Sequence, residues 1–255
     1  MVLHKHLCVS AVLCFLGSIS VAAADTIKLA YVAVEAGGNE NITLNSTTYS
    51  GANGLMKVNT QNPVGPLASQ IPAATWAFCF ELGQYTDFPY TSYNVQTLAS
   101  AMAPAKAELI RQLWAQHYNP AWQSNTYIYY GGSFGGWTSG QPSNTTENQQ
   151  ALAMNFAIYE ILYDFSGSLA SLNLSSGSFK VNSANPSAAT TTASNWLSSL
   201  VQDSLYSGPK ANLLGLTSST LQDLIVEIPP STNVPEPASA ALLVLSASAI
   251  LFRRR

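Results

Sequence analysis

From Asp25 to Pro229 this chain carries one cysteine, Cys79. The body therefore has no intramolecular disulfide to staple it, and it must fold on a hydrophobic core. The other two cysteines, Cys8 and Cys14, fall in a stretch that does not read as part of a fold. Lys5 opens a short basic start, an apolar run follows from Leu7 to Val21, and Ala22, Ala23 and Ala24 precede Asp25. That order is the pattern of a secretory signal peptide, with cleavage expected after Ala24.

Removing this leader also removes His4 and His6, which leaves His117 as the body's one histidine. One histidine and one cysteine make no zinc signature, and no calcium-loop pattern is present, so we expect neither metal nor cofactor. The whole chain has 13 acidic and 10 basic residues. Four of the basic residues, Lys5 and Arg253 to Arg255, lie outside the body. What remains is acidic and rich in Ser, Thr, Asn and Gln, which suits an exported surface and offers nothing to track phosphates. We therefore expect no nucleic-acid partner.

The end of the chain, "VPEPASAALLVLSASAILFRRR", has a different physics. Ala238 to Phe252 is an uncharged run of 15 residues. As a helix it would reach about 22 Å, against a hydrocarbon core of roughly 30 Å. Arg253, Arg254 and Arg255 extend that reach by snorkelling, and they hold their end on the cytoplasmic side. Pro235 and Pro237 stop the helix from running back into the body and keep Glu236 extended. Pro-Glu-Pro, a short apolar helix and an arginine end together resemble the PEP-CTERM sorting signal. The resemblance implies recognition by an exosortase in the inner membrane of a Gram-negative bacterium, with cleavage near the motif. We therefore expect a signal peptide (1–24), a body (25–229), a Pro-rich linker with the sorting motif (230–237) and a transmembrane sorting helix with its arginine tail (238–255).

Within the body, "TIKLAYVAV" from Thr26 reads as a strand. Residues 35–66 are rich in Gly, Asn, Thr and Ser, and predict short strands and turns with a weak strand near Leu55 to Val58. "TWAFCFEL" alternates, with Trp76, Phe78, Phe80 and Leu82 on one face and Ala77, Cys79 and Glu81 on the other. "APAKAELIRQLWAQHY" predicts a helix with Pro104 in its first turn. "TENQQALAMNFAIYEILYD" predicts a longer one, with Thr146 and Gln149 in capping-box spacing. "SFKV" reads as a strand, "NPSAATTTASNWLSSLVQDSL" as a third helix and "LQDLIVEIP" as a closing strand. Strands and helices are mixed without a βαβ repeat, so the expected class is α+β: a small sandwich- or barrel-like sheet with a helical subdomain.

"GGSFG", Gly131 to Gly135, has the spacing of a hydrolase elbow, but no helix follows it and no histidine comes later. It reads as a glycine-rich loop. Glu160 and Asp164 share a helix face and could act as paired carboxylates in a carbohydrate-active enzyme, although such a pair is more often a solvated stripe. Trp122, Tyr129, Tyr130 and Trp137 could line a glycan-binding surface, although packing is their commoner role. Asn155 is the odd residue. It lies with Leu152, Tyr159 and Leu162 along an apolar helix face, where a carboxamide needs a partner.

"AFCFELGQ", "AKAELIRQLWAQHY" and "NFAIYEILYD" resemble the thioester domains of bacterial surface proteins. In that family a strand cysteine and a helix glutamine, in a Gln-x-Ala-Ile-Trp context, form an internal thioester that captures a nucleophile on another surface. Cys79 matches the cysteine, and Asn155-Phe156-Ala157-Ile158-Tyr159 matches the second block with Asn for Gln and Tyr for Trp. Asparagine is shorter by about 1.5 Å, and a packed core does not readily move to compensate. The departure points to a retained fold with a degenerate, unreacted site. If the bond forms, Cys79 and Asn155 carry it. Asn155→Gln is the substitution expected to create it. The resemblance implies a non-enzymatic adhesive or structural protein of the cell surface, exopolysaccharide layer or biofilm. Its partners would be the secretion machinery, the exosortase, the membrane through the tail, and a polysaccharide or other surface ligand.

Overall fold

The computed structural model describes residues 24–84, 89–124, 145–181 and 187–229. Residues 1–23 of the expected signal peptide, the Gly131 to Gly135 loop, Tyr129, Tyr130, Trp137 and the whole sorting tail lie outside them. Among the described residues no helix is long and apolar enough to cross a membrane.

Two long strands, β1 (Thr26–Leu44) and β2 (Thr47–Val64), form an antiparallel hairpin closed by Asn45 and Ser46, both at positive φ. Two consecutive residues at positive φ give the turn that matches the natural twist of a hairpin, and asparagine tolerates that conformation well. Short strands and turns were expected over 35–66, and the structure corrects this. The Gly- and Asn-rich stretch is extended because each strand pairs along the other, with three register shifts that bend the ribbon.

The bent hairpin closes a barrel. β3 (Ala74–Cys79) pairs with β2, and β7 (Leu224–Glu227) pairs with β3. β6 (Leu213–Thr217) and β4 (Thr91–Thr97) continue the sheet to β1, and every pairing is antiparallel. The six strands thus close on themselves through β1–β2, which removes open sheet edges. β5 (Phe179–Val181) is added on the far end of β1, against Ile42 to Leu44. β4 and β6 have no counterpart among the predicted strands.

The helices are α1 (Leu98–Ala101), α2 (Pro104–His117), α3 (Thr146–Asp164) and α4 (Ala188–Ser199). Proline at the first position of α2 is preorganised for a helix and has no N–H to orphan. The cap of α3 lies one residue before the predicted position: Thr145 accepts the Asn148 N–H at 3.2 Å. Ser187 does the same for Thr190 at the start of α4. From Ala151 to Ile161 every residue of α3 is buried, so this is a core helix rather than an amphipathic one. It lies across β1 and β2 and packs against α2 and α4. One continuous core joins barrel and helices, so the architecture is α+β.

Candidate functional site

Cys79 ends β3, is 5 % exposed, and is a free thiol. Its neighbour Phe78 packs edge-on against Trp114 of α2 and against Trp122, with ring centroids 5.4 and 6.4 Å away. The strand is therefore covered on both faces. The Cys79 Sγ lies 3.7 Å from the Met56 Sδ, with the Tyr159 side chain as an electrostatic neighbour. Burial pushes the thiol far above its ordinary range, more than the hydrogen bonds around it pull it back. It is protonated and a poor nucleophile.

The structure brings the two predicted site residues together. The Asn155 Nδ2 donates to the Cys79 carbonyl oxygen at 3.0 Å, and the Asn155 Oδ1 accepts the Gly54 N–H at 3.0 Å. Asn155 is fully buried. Both ends of its carboxamide are spent on backbone groups of two adjacent strands, so helix α3 is fastened to β2 and β3 at once. The side chain tethers the helix by the peptide of Cys79, not by its sulfur.

A second asparagine, two turns earlier on α3, repeats the device. Asn148 is 4 % exposed and its Oδ1 accepts the Gly37 N–H at 3.3 Å. Gly37 and Gly54 are direct cross-strand partners, at φ +153° and +139°. A Cβ on Gly37 would stand 2.0 Å from the Asn53 carbonyl oxygen, and one on Gly54 2.2 Å from the Ala36 carbonyl oxygen. Glycine is required at both positions. The sequence signal for this arrangement, two asparagines seven apart on an apolar helix facing a Gly-rich hairpin, was present but only Asn155 was singled out.

The remaining candidates are placed differently. Trp122 is fully buried and donates its indole N–H to the Gln150 Oε1 at 3.3 Å, so it is core and not a glycan platform. Glu160 is also fully buried, which corrects the expectation of a solvated stripe and places its carboxyl out of a substrate's reach. Asp164 accepts the N–H groups of Ser178 and Phe179 at 2.8 and 2.9 Å. His117 stacks on Trp196 with ring centroids 4.6 Å apart, and burial lowers its pKa. Among the described residues no three His, Cys, Asp or Glu side chains group to hold a metal ion.

Fold and site together define a class: an antiparallel six-stranded barrel crossed by a buried helix, with a helix carboxamide tied to the strand that carries a buried thiol. No protein-family model matches the chain, and neither a curated protein nor a solved structure does.

Proposed function

We propose that this chain is a non-enzymatic protein exported to the cell surface or extracellular matrix, adhesive or structural in the exopolysaccharide layer, with an unreacted thioester-like site. The leader before Asp25 and the tail from Pro235-Glu236-Pro237 to Arg255 support export and sorting through an exosortase, with the apolar helix as a transient inner-membrane anchor. The body supports the unreacted site by one observation: the Asn155 carboxamide is engaged at both ends by backbone groups. A thiolate must attack the carboxamide carbon and expel ammonia for the bond to form. Here the thiol is held protonated and the leaving nitrogen is hydrogen-bonded to the carbonyl of the same cysteine. Adhesion then rests on the folded surface and not on a covalent bond.

Intact-mass analysis of the mature protein, with a thiol count after unfolding, tests this reading. Full mass and one titratable thiol are expected. Loss of ~17 Da in the wild type, abolished in Cys79→Ala, would instead make covalent capture the function.

A further inference from the structure

Among the described residues Glu160 is the only acid in the buried class, with no exposed surface at all. It lies one turn before the end of α3. Its Oε1 accepts the Asn173 N–H at 2.6 Å, while its Oε2 is buried without a partner. One turn later Asp164 holds the N–H groups of Ser178 and Phe179, and its carbonyl accepts the Ser171 hydroxyl at 2.9 Å. Two acids on one helix face thus fasten the connection 165–178, whose own regular structure is one three-residue helical turn, Leu169–Ser171.

That connection leads into β5, whose Phe179 packs against the tyrosines of α3. Phe179 is fully buried, with its ring centroid 5.6 Å from that of Tyr159 and 6.5 Å from that of Tyr163. Tyr159 in turn is an electrostatic neighbour of Cys79. Freeing the connection would release Phe179 and uncover Tyr159.

The closed arrangement favours one protonation state. As a carboxylate, Glu160 would hold a charged oxygen in the interior with no donor to meet it, which is costly. As a neutral acid it keeps the Asn173 bond on its carbonyl oxygen. We propose that Glu160 is a protonation latch: the neutral acid keeps the 165–178 connection closed over Tyr159 and Cys79, and release of its proton to solvent lets the connection open. The access clause rests on Cys79 being a free thiol, as the proposed function has it.

Few other groups bear on this titration. Burial, and then the Asp164 charge against the pull of the Asn173 N–H, brings the pKa of Glu160 to about 7. The connection 165–178, α4 and the paired stretch Ile42 to Leu44 contain no titratable side chain. Lys180 of β5 is exposed between buried Phe179 and Val181, so it points away. Lys106 of α2 donates to the Leu162 carbonyl, about 200° around α3 from Glu160. With the connection open, Glu160 faces water and returns towards 4.5. The closed form therefore binds more protons between those two values. Closure is strongest below the lower one, weakens as pH rises to the upper one, and is level above it.

Hydrogen exchange of the full chain from pH 5 to 8, each amide divided by its intrinsic rate, reads the latch. Protection of the 165–181 amides should fall by about ten- to a hundredfold as pH rises from 5 to about 7 and then level off, while the β1 and β2 amides outside the Ile42 to Leu44 pairing hold steady. Alkylation of Cys79, relative to the unfolded chain at each pH, should follow the same profile. Glu160→Gln mimics the neutral acid and should flatten both. A flat wild-type profile, a parallel fall in the hairpin, or a folded Glu160→Gln with unchanged pH dependence would each overturn the latch. Should that variant not fold, the wild-type profile and the carbon-13 titration of the Glu160 carboxyl decide, and a titration below pH 5 refutes it. A thioester in the wild type would remove the alkylation readout but leave the amides to report, so the two readings fail separately.

Discussion

The Asn155 side chain donates to the Cys79 carbonyl oxygen at 3.0 Å, so the buried helix grips the cysteine strand by its backbone. The same carboxamide receives the Gly54 N–H from the next strand. Asn155→Ala would leave a buried donor and a buried acceptor unpaired, at a cost of about 2–4 kcal/mol. Asn155→Gln adds a methylene to a packed site and should cost about 1–3 kcal/mol. Urea unfolding of the three proteins checks the order, and mass analysis of the glutamine variant is where ammonia loss should be sought. A stable Asn155→Ala would remove the tether from the account of the fold.

The cross-strand pair Gly37 and Gly54 should tolerate no side chain. Either alanine substitution places a Cβ against a backbone carbonyl and forces a non-glycine residue to positive φ. Each is expected to cost more than about 3 kcal/mol. Because the two sites touch, the double variant should lose less than the sum of the single ones. Thermal unfolding of the two single variants and the double variant measures this directly.

Asp223 lies in the turn between β6 and β7, where its Oδ1 accepts the Ser218 N–H at 2.8 Å. Burial, with the Glu81 charge and against the Ser218 bond, raises it from 3.8 to about 6. A raised folded-state value means the native protein binds more protons, so this contribution is full below the unfolded value and is lost as pH rises through about 6. Asp223→Asn keeps the acceptor and removes the titration. Between pH 4 and 7 its stability should vary by about 1–2 kcal/mol less than the wild type's, after allowance for partial exposure. His117 works in the opposite sense below pH 6.5 but is common to both proteins, so the difference isolates Asp223. Equal slopes in paired urea titrations would contradict the assignment.

Export makes a prediction of its own. The exported protein should begin at Asp25 by N-terminal sequencing. Replacing Pro235, Glu236 and Pro237 with alanines should trap it in the inner membrane with its tail intact. Arrival of that variant at the surface with unchanged size and yield would reduce the tail to a passive anchor.

Local pattern was enough for much of this molecule. The 3.6-residue period and cap chemistry placed α2, α3 and α4, and alternation in "TWAFCFEL" placed β3, because these signals act within a few residues along the chain. The buried asparagine was legible for the same reason, since a carboxamide on an apolar helix face demands a partner. Its partner was not legible. Only the closed barrel brings the Gly54 N–H and the Cys79 carbonyl to Asn155, from 101 and 76 residues away. The hairpin was misread because Gly, Asn, Ser and Thr favour turns locally, whereas pairing along nearly the whole of β1 and β2 holds them extended. β4 and β6 escaped because a short strand takes its stability from its neighbours in the sheet. Glu160 sits at a spacing that suggests solvent, and only the connection folding back over α3 buries it. The sequence by itself determined the three longer helices, the lone thiol and the need to satisfy Asn155. Long-range pairing decided the barrel, the tether and the buried acid, because burial and hydrogen-bond partners belong to the folded chain and not to any stretch of it.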